Sequence, residues 1–414
     1  MSASPAGRAT PASPAWLPAF RPGQLVVVAA IVGAIVNVLL RPDVYANADS
    51  HSFEAIARAL LAGQGLVYRE VQFPELPLYA FRSPGYSVFL ALGLALGGEM
   101  SVLVLQGALN GMAAVLAGSL AGGWGGSLAA WAAFALRMLW PAGWFHAGQY
   151  MSETFFEFMT ILTVWLAVRA EAKRSLRGLV LTGIAAGLGV LTRPVALGCL
   201  GAVGLWLLIR RYPRGTAVVA VTAFLTWLPW PIRNQARLHA FVPLLTSGGV
   251  AAWNIQSNHE PDVAFTYMRE HVELGEVGLD EHFRRATNEI IRQDPVAYAK
   301  RIARAGVDYA GPILERRSEV WLHRFALLCV LPLLLLPAWW GRAALPALVW
   351  AAEGALLVGI AVHWRYRYPT EWCVVVLAAL GLAAASERWG GRRTAWLAAG
   401  ALAAAIGVTR LLLR

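Results

Sequence analysis

The sequence predicts an all-α polytopic membrane protein, and three observations carry that reading. Of the 414 residues, 58% are hydrophobic and only 14% charged, with a mean hydropathy of +0.54; soluble domains carry about 25% charged residues. The apolar residues gather in runs of about 16 to 23, the length of a helix crossing a hydrocarbon core of ~30 Å. No run shows the apolar-polar alternation that a transmembrane barrel requires.

The elements follow in order. Residues 1–23, rich in Ala, Pro and Ser, lack the apolar core of a cleavable signal peptide and read as a disordered cytoplasmic tail. Gln24 to Leu40 reads as a signal anchor. Further spans are expected at Glu99–Gly122, Gly125–Phe145, Thr154–Arg169, Gly178–Leu191, Val195–Leu208, Thr216–Ile232, Arg324–Trp340, Ala343–Val362, Pro369–Ala385 and Thr394–Leu413. With the anchor this makes about eleven transmembrane helices. Residues 24–232 form one module containing a first loop at 41–98; residues 233–323 form a small polar helical segment, and 324–414 return to the membrane.

Ser83–Gly98 is apolar enough to span, and the positive-inside rule decides its reading. If it lies in the interface or re-enters, the basic loops 169–177, 210–214 and 388–393 all share the side of the N-terminus. If it spans, all three flip outward. It is therefore read as re-entrant or interfacial. That choice puts Asp49, Ser152-Glu153, Arg193, the segment from Arg233 to His323, and Arg365/Arg367 on one non-cytoplasmic face, although Arg410 and Arg414 then end outside. The net charge of +11 is in part this topological bias and in part available to anionic lipid phosphates, with no implication of nucleic acid.

In the first loop, Phe53, Ile56, Ala57, Leu60 and Leu61 form the stripe of an amphipathic helix, and Gly63 and Gly65 end it. Asp49 begins that helix, either as an ordinary cap or as a carboxylate doing chemistry at the membrane surface, with Asp43 its competitor. In the second polar segment, Asp280–Asp294 and Val296–Ala310 have helical periods and Pro295 suits a first helical turn; with His259–Glu273 they make a three-helix cap. Glu153 opens a span after Pro141 and Gly143, where the helix dipole favours an acid. Arg193, Arg233, Arg365 and Arg367 sit at span ends, where a snorkelling arginine and a bidentate phosphate ligand look alike. Four at one depth favour phosphate. Arg137 and Glu353 fall inside spans, where a charge is costly and an ion pair between the two is one solution. The cysteines at 199, 329 and 373 lie in apolar runs as small hydrophobes, and no metal spacing is present.

Several short stretches, in this order, resemble the GT-C membrane glycosyltransferases of the dolichyl-phosphate-mannose protein mannosyltransferase and aminoarabinose transferase type. They are NADSHSFEAIARALLAGQG, Arg82-Ser83-Pro84-Gly85-Tyr86, SETFF, GVLTRP, PWPIRN, FVPLLTSGGVAAWNIQSN and RYRYP, spread over Tyr45–Pro369. The resemblance implies transfer of a sugar from a polyprenyl-phosphate donor, with inversion, on the outer face. It implies Asp49 as the catalytic Asp of the first loop, deprotonating or orienting the acceptor hydroxyl, and Glu153 as the matching acidic residue of the second. It also implies that Arg193, Arg233, Arg365 and Arg367 bind the donor phosphate, and that Tyr45, Arg82 and Tyr86 line the substrate groove. Many relatives have two adjacent acids in the first loop, whereas Ala48 precedes Asp49 here. No metal ligands are therefore assigned, and a divalent cation stays an open alternative.

The reading is a multi-pass glycosyltransferase of a bacterial cytoplasmic membrane, with its site facing the periplasm. Its partners are a polyprenyl-phosphate sugar, membrane lipid and a glycan, lipid or protein acceptor. The rival is a transporter or flippase of lipid-linked saccharide, which would carry polar groups near the midplane and an internal repeat. No repeat is visible.

Overall fold

The computed structural model describes residues 18–40, 42–257, 261–311, 320–360 and 364–413. Most of the tail read as disordered, as well as Arg41, His259, the end of the span at Val362 and the terminal Arg414, lie outside the described residues. Of the tail, residues 18–23 are described, Pro22 and Gly23 already opening the first helix; Phe20 packs edge-on against Trp131, whose indole donates to the Pro18 carbonyl.

Among the described residues the regular structure is helical apart from one short antiparallel pair, β1 (Tyr68–Arg69) with β2 (Pro77–Leu78). The first half runs through α1 (Pro22–Leu39), α2 (Asp49–Leu61), α3 (Pro84–Met138), α4 (Pro141–Ala147), α5 (Glu153–Lys173), α6 (Leu176–Thr192), α7 (Ala196–Ile209), α8 (Pro213–Trp227) and α9 (Pro229–Leu238). The polar segment holds α10 (Ser247–Ser257), α11 (Pro261–Glu270), α12 (Gly275–Gln293) and α13 (Pro295–Ala310). The chain closes with α14 (Trp321–Leu335), α15 (Trp340–Ile360), α16 (Trp364–Arg367), α17 (Glu371–Trp389) and α18 (Gly391–Leu413). Proline opens α1, α3, α4, α8, α9, α11 and α13, where its missing N–H costs nothing and its fixed φ suits the helix. Among the described residues, six helical stretches are long and apolar enough to cross a membrane, with α6, α7 and α14 as shorter apolar helices. The protein is a multi-pass membrane protein.

The 55-residue α3 is not one rod. It breaks at Gly97–Gly98, where Gly98 has φ 66°, and again at Gly126 with φ 75°, conformations that favour glycine. The stretch read as re-entrant is thus a helix from Pro84 to about Leu96, roughly 20 Å long at 1.5 Å per residue and short of a ~30 Å crossing. It doubles back on the next segment, with Leu90 and Ala91 clustered against Val102 and Leu103.

α1 lies against α3 through small residues. A Cβ on Gly33 would run into the Gly107 carbonyl, and one on Gly111 into that of Ala29. Such close backbone approach is how helices associate where lipid gives no hydrophobic drive. α17 is the most buried helix, packed on α3, α14, α15 and α18. Of the expected cap, α11 and α12 pack onto the first loop, with Phe73, Leu76, Leu78 and Phe81 meeting Ala264, Met268, Leu279 and Phe283.

Arg137 pairs not with Glu353 but with Glu157, at 2.7 Å from Nε and 2.5 Å from Nη2. Asn110 and Tyr368 also accept from Nη2. The reason is register: the end of α3 faces α5, whereas Glu353 is buried beside Gly198 of α7, with neither carboxylate oxygen hydrogen-bonded among the described residues. Glu157→Leu should cost about 3–5 kcal/mol by leaving Arg137 buried without its counterion, while Arg137→Met combined with Glu157→Leu should recover most of that loss. Thermal unfolding of the three variants in detergent checks it.

Candidate functional site

The site forms where four segment ends converge. Asp49 is the first residue of α2, and its carboxylate is not spent on capping, because both of its oxygens accept from arginines; Asn47 Oδ1 accepts the Asp49 N–H. Glu153 is the first residue of α5. Arg193 follows the last turn of α6, and Arg365 sits on the short α16 leading into α17.

The charges alternate along a chain. Arg82 Nη2 reaches Asp49 Oδ1 at 2.5 Å, and Arg365 Nη2 reaches Asp49 Oδ2 at 2.6 Å. Arg365 Nε lies 3.0 Å from Glu153 Oε1, and Arg193 Nη1 lies 2.9 Å from the same oxygen. Ser52 steadies the outer end: its hydroxyl donates to the Asp49 carbonyl and accepts from Arg82 Nε. Burial pushes the Asp49 carboxyl up, but the guanidiniums of Arg82 and Arg365 more than offset this and hold it well below the usual carboxylate range.

A cavity of about 230 Å³ opens beside this chain. Asp49, Arg82, Arg193 and Arg365 line it, together with Phe53, Met151, Val195, Leu245, Ile255 and Leu357 as apolar wall. Glu153 is fully buried and stands behind Arg193 and Arg365 rather than in the wall. The arrangement offers three guanidiniums to an anion and one carboxylate to a proton.

The other residues assigned above are engaged elsewhere, which corrects their assignment. Arg233 donates to the backbone carbonyls of Tyr79 and Leu66, holding the first loop. Arg367 is buried and donates to Glu371 and to the Asp308 carbonyl, anchoring the segment that carries Arg365. The Tyr86 hydroxyl is buried against Gln106. Tyr45 donates to Glu54, and burial together with that bond pushes its phenol up to about 12. None of the four lines the cavity.

Sequence reasoning missed Tyr366, whose ring lies under Arg193 and Arg365 at 5.2 and 4.9 Å. It also left Thr192, Ser247 and Gly248 without a role, though they line the cavity. The stretch FVPLLTSGGVAAWNIQSN was visible as a motif, but only the fold brings its Ser247-Gly248 turn to the arginines. Glu276 of α12 fixes that approach, accepting from the Tyr79 and Ala80 N–H groups at 2.5 and 2.8 Å and from the Thr246 hydroxyl at 2.6 Å.

The carboxylates do not make a metal site. Both Asp49 oxygens are taken by Arg82 and Arg365, Glu153 faces Arg365 and Arg193, and no group of three His, Cys, Asp or Glu suited to a metal occurs among the described residues.

The fold is shared with solved structures at low identity. The Archaeoglobus fulgidus oligosaccharyltransferase in complex with Zn and sulfate is similar over 94% of this chain, with a TM-score of 0.57 and 16% identity. The same enzyme tethered through a disulfide to an acceptor peptide containing the NVT sequon is similar over 95%, again at 0.57 and 16%. This chain covers 52% and 54% of those two chains, about half the length of the archaeal enzyme. ArnT from Cupriavidus metallidurans bound to undecaprenyl phosphate is similar over 87% of this chain and 77% of its own, at 14% identity and a TM-score of 0.45. No protein-family model and no curated protein sequence matches the chain. The chain has the GT-C membrane fold that its motifs led us to expect.

The depressed Asp49 carboxyl makes its ion pairs stabilising above the unfolded carboxylate value of ~3.9, and that contribution is lost as pH falls through the folded value. The stability gap between the protein and its Asp49→Asn variant should stay constant from about pH 5 to 8 and begin to close below about pH 4. Unfolding midpoints across that range check it.

Proposed function

We propose that this protein is a glycosyltransferase that moves a sugar from a polyprenyl-phosphate donor to an acceptor hydroxyl at the outer surface of a bacterial cytoplasmic membrane. The observation that carries the reading is the convergence of Asp49 with Arg82, Arg193 and Arg365 at one cavity. A single acid facing three guanidiniums suits a reaction in which a proton leaves one substrate and a phosphate leaves the other. The shared fold supports it, since the archaeal neighbour is an oligosaccharyltransferase by name.

In this reading, the apolar wall of Phe53, Val195, Leu245, Ile255 and Leu357 receives the first prenyl carbons, and the arginines receive the phosphate. The acceptor oxygen attacks the sugar C1 from the face opposite the phosphate. Its proton passes to Asp49, the C1–O bond to phosphate breaks, and the lipid phosphate leaves with both electrons of that bond. One displacement inverts the anomeric centre. Arg193 and Arg365 stabilise the charge that develops on the leaving phosphate, an effect of preorganised donors in a site shielded from water. Glu153 touches neither substrate. It is a positioning residue that holds both arginines.

The depressed Asp49 carboxyl is a weak base in the free protein. The negative charge of a bound donor phosphodiester offsets the guanidiniums and raises the proton affinity of Asp49, so the base strengthens when the donor is in place. Three guanidiniums against Asp49 and Glu153 leave one net positive charge, which matches a single phosphodiester better than a diphosphate.

The test is transfer of labelled sugar from a panel of polyprenyl-phosphate sugars by the purified protein. Asp49→Asn should lower the transfer rate by about 10²–10⁴-fold with donor affinity kept, as expected for loss of a general base. Arg193→Ala should weaken donor binding and also lower the transfer rate, because its charge acts on the leaving phosphate. Full activity in Asp49→Asn would remove it from the chemistry, and donor binding without turnover across all acceptors would move the protein to the transport class.

A further inference from the structure

Asp49 and Glu153 come from separate segments, yet their carboxylates approach the same group. Two acids so placed repel unless a cation lies between them, and a divalent ion held by oxygen ligands is the common solution. Here the position is filled from within the chain. Nη2 and Nε lie along one edge of the Arg365 guanidinium, the first 2.6 Å from Asp49 Oδ2 and the second 3.0 Å from Glu153 Oε1. Arg82 and Arg193 close the outer flanks, so five charged groups alternate in sign.

We propose that Arg365 occupies the place of a bridging divalent cation, so that this site works with a guanidinium carried by the chain and takes no metal. The claim that transfer needs no metal rests on the glycosyltransferase reading; the claim about cation placement does not. Three features support it. The guanidinium spreads its charge over a planar fork, so it can neutralise two carboxylates at once, here with a hydrogen bond to Asp49 and an ion-pair contact to Glu153. The charge of the five groups is already positive by one, and an added divalent ion would leave three net charges beside a monoanionic phosphodiester. Arg365 is also rigidly presented: Arg367, two residues on, is tied to Glu371 at 3.1 Å and to the Asp308 carbonyl at 3.1 Å, and the Tyr366 ring lies against the Arg365 guanidinium.

This predicts that removing Arg365 creates a metal site. Without it, Asp49 and Glu153 face one another with no counterion between them, and a hard cation with oxygen preference fits the gap. Mn²⁺ is the probe, because its electron paramagnetic resonance signal counts bound ions directly. The wild type should bind no stoichiometric Mn²⁺ and should keep its full transfer rate in EDTA. Arg365→Ala should bind one Mn²⁺ per chain, and the Arg365→Ala/Asp49→Asn double variant should bind none. Transfer by Arg365→Ala should fall by at least about a hundredfold, the size of effect seen when a preorganised charge is removed, and Mn²⁺ should restore part of it. Arg365→Gln serves if the alanine variant does not fold.

A wild type that binds one Mn²⁺ lost in Asp49→Asn, or that loses transfer in EDTA and regains it with Mn²⁺, overturns the proposal. So does a folded Arg365→Ala or Arg365→Gln variant that binds no Mn²⁺. The resonance measurement needs no turnover. If no donor supports transfer, the glycosyltransferase reading fails while the ion count still decides where the cation sits.

Discussion

Charges taken out of water must meet opposite charges, and that constraint organises this molecule. Arg365 joins Asp49 at the start of α2 to Glu153 at the start of α5, and Arg193 ties the end of α6 to the same acid. Four segments from distant parts of the sequence are thereby fixed at one depth. Removing any member of such a chain leaves a partner stranded in a poorly hydrated place, where the penalty exceeds what most packing contacts contribute. The deeper pair of Arg137 and Glu157 repeats the principle between α3 and α5, with Asn110 and Tyr368 as further acceptors for Nη2. Both pairs hold α5, whose first turn belongs to the site.

Around these pairs the packing is ordinary for a membrane protein. α17 is wrapped by other helices, so its apolar character reports burial in protein, whereas α1 and α18 show most of their surface to the outside. Glycines let α1 lie close on α3. Outside the membrane helices, Glu276 plays a comparable role with hydrogen bonds alone: it binds the strand before Arg82 and the turn before Ser247, so the two lips of the cavity move together.

Much of this was legible in the sequence, and what was not has a common physical cause. Helix identity followed from apolar runs, and the grouping of Asp49, Glu153, Arg193 and Arg365 followed from counting basic loops, a rule about sides of a membrane. That rule resolves faces, not contacts. It could not tell Arg365 from Arg367, because two residues apart on one short turn they share a face while pointing to different neighbours. Nor could it show that Arg233 would be spent on the carbonyls of Leu66 and Tyr79, since a backbone acceptor leaves no mark in composition. Arg82, read only as part of a groove, is a direct partner of Asp49. The partner of Arg137 was equally out of reach, because α5 and α15 both supply a buried glutamate and only the packing register selects Glu157.

The broken start of α3 reaches beyond the protein itself. Between Pro84 and Leu96 the chain exposes Val88, Leu92 and Leu96 in a stripe four residues apart, then reverses at Gly97–Gly98. A helix of that length covers about two thirds of a ~30 Å hydrocarbon layer, less than the 18-residue α1 beside it. The molecule therefore wears a belt of unequal height, and lipid beside the low sector must thin, tilt or disorder its chains to follow it. The same sector carries Arg82 and Ser83 at the cavity's edge just before the helix begins. A bilayer that follows such a belt would be most deformed beside this edge of the cavity.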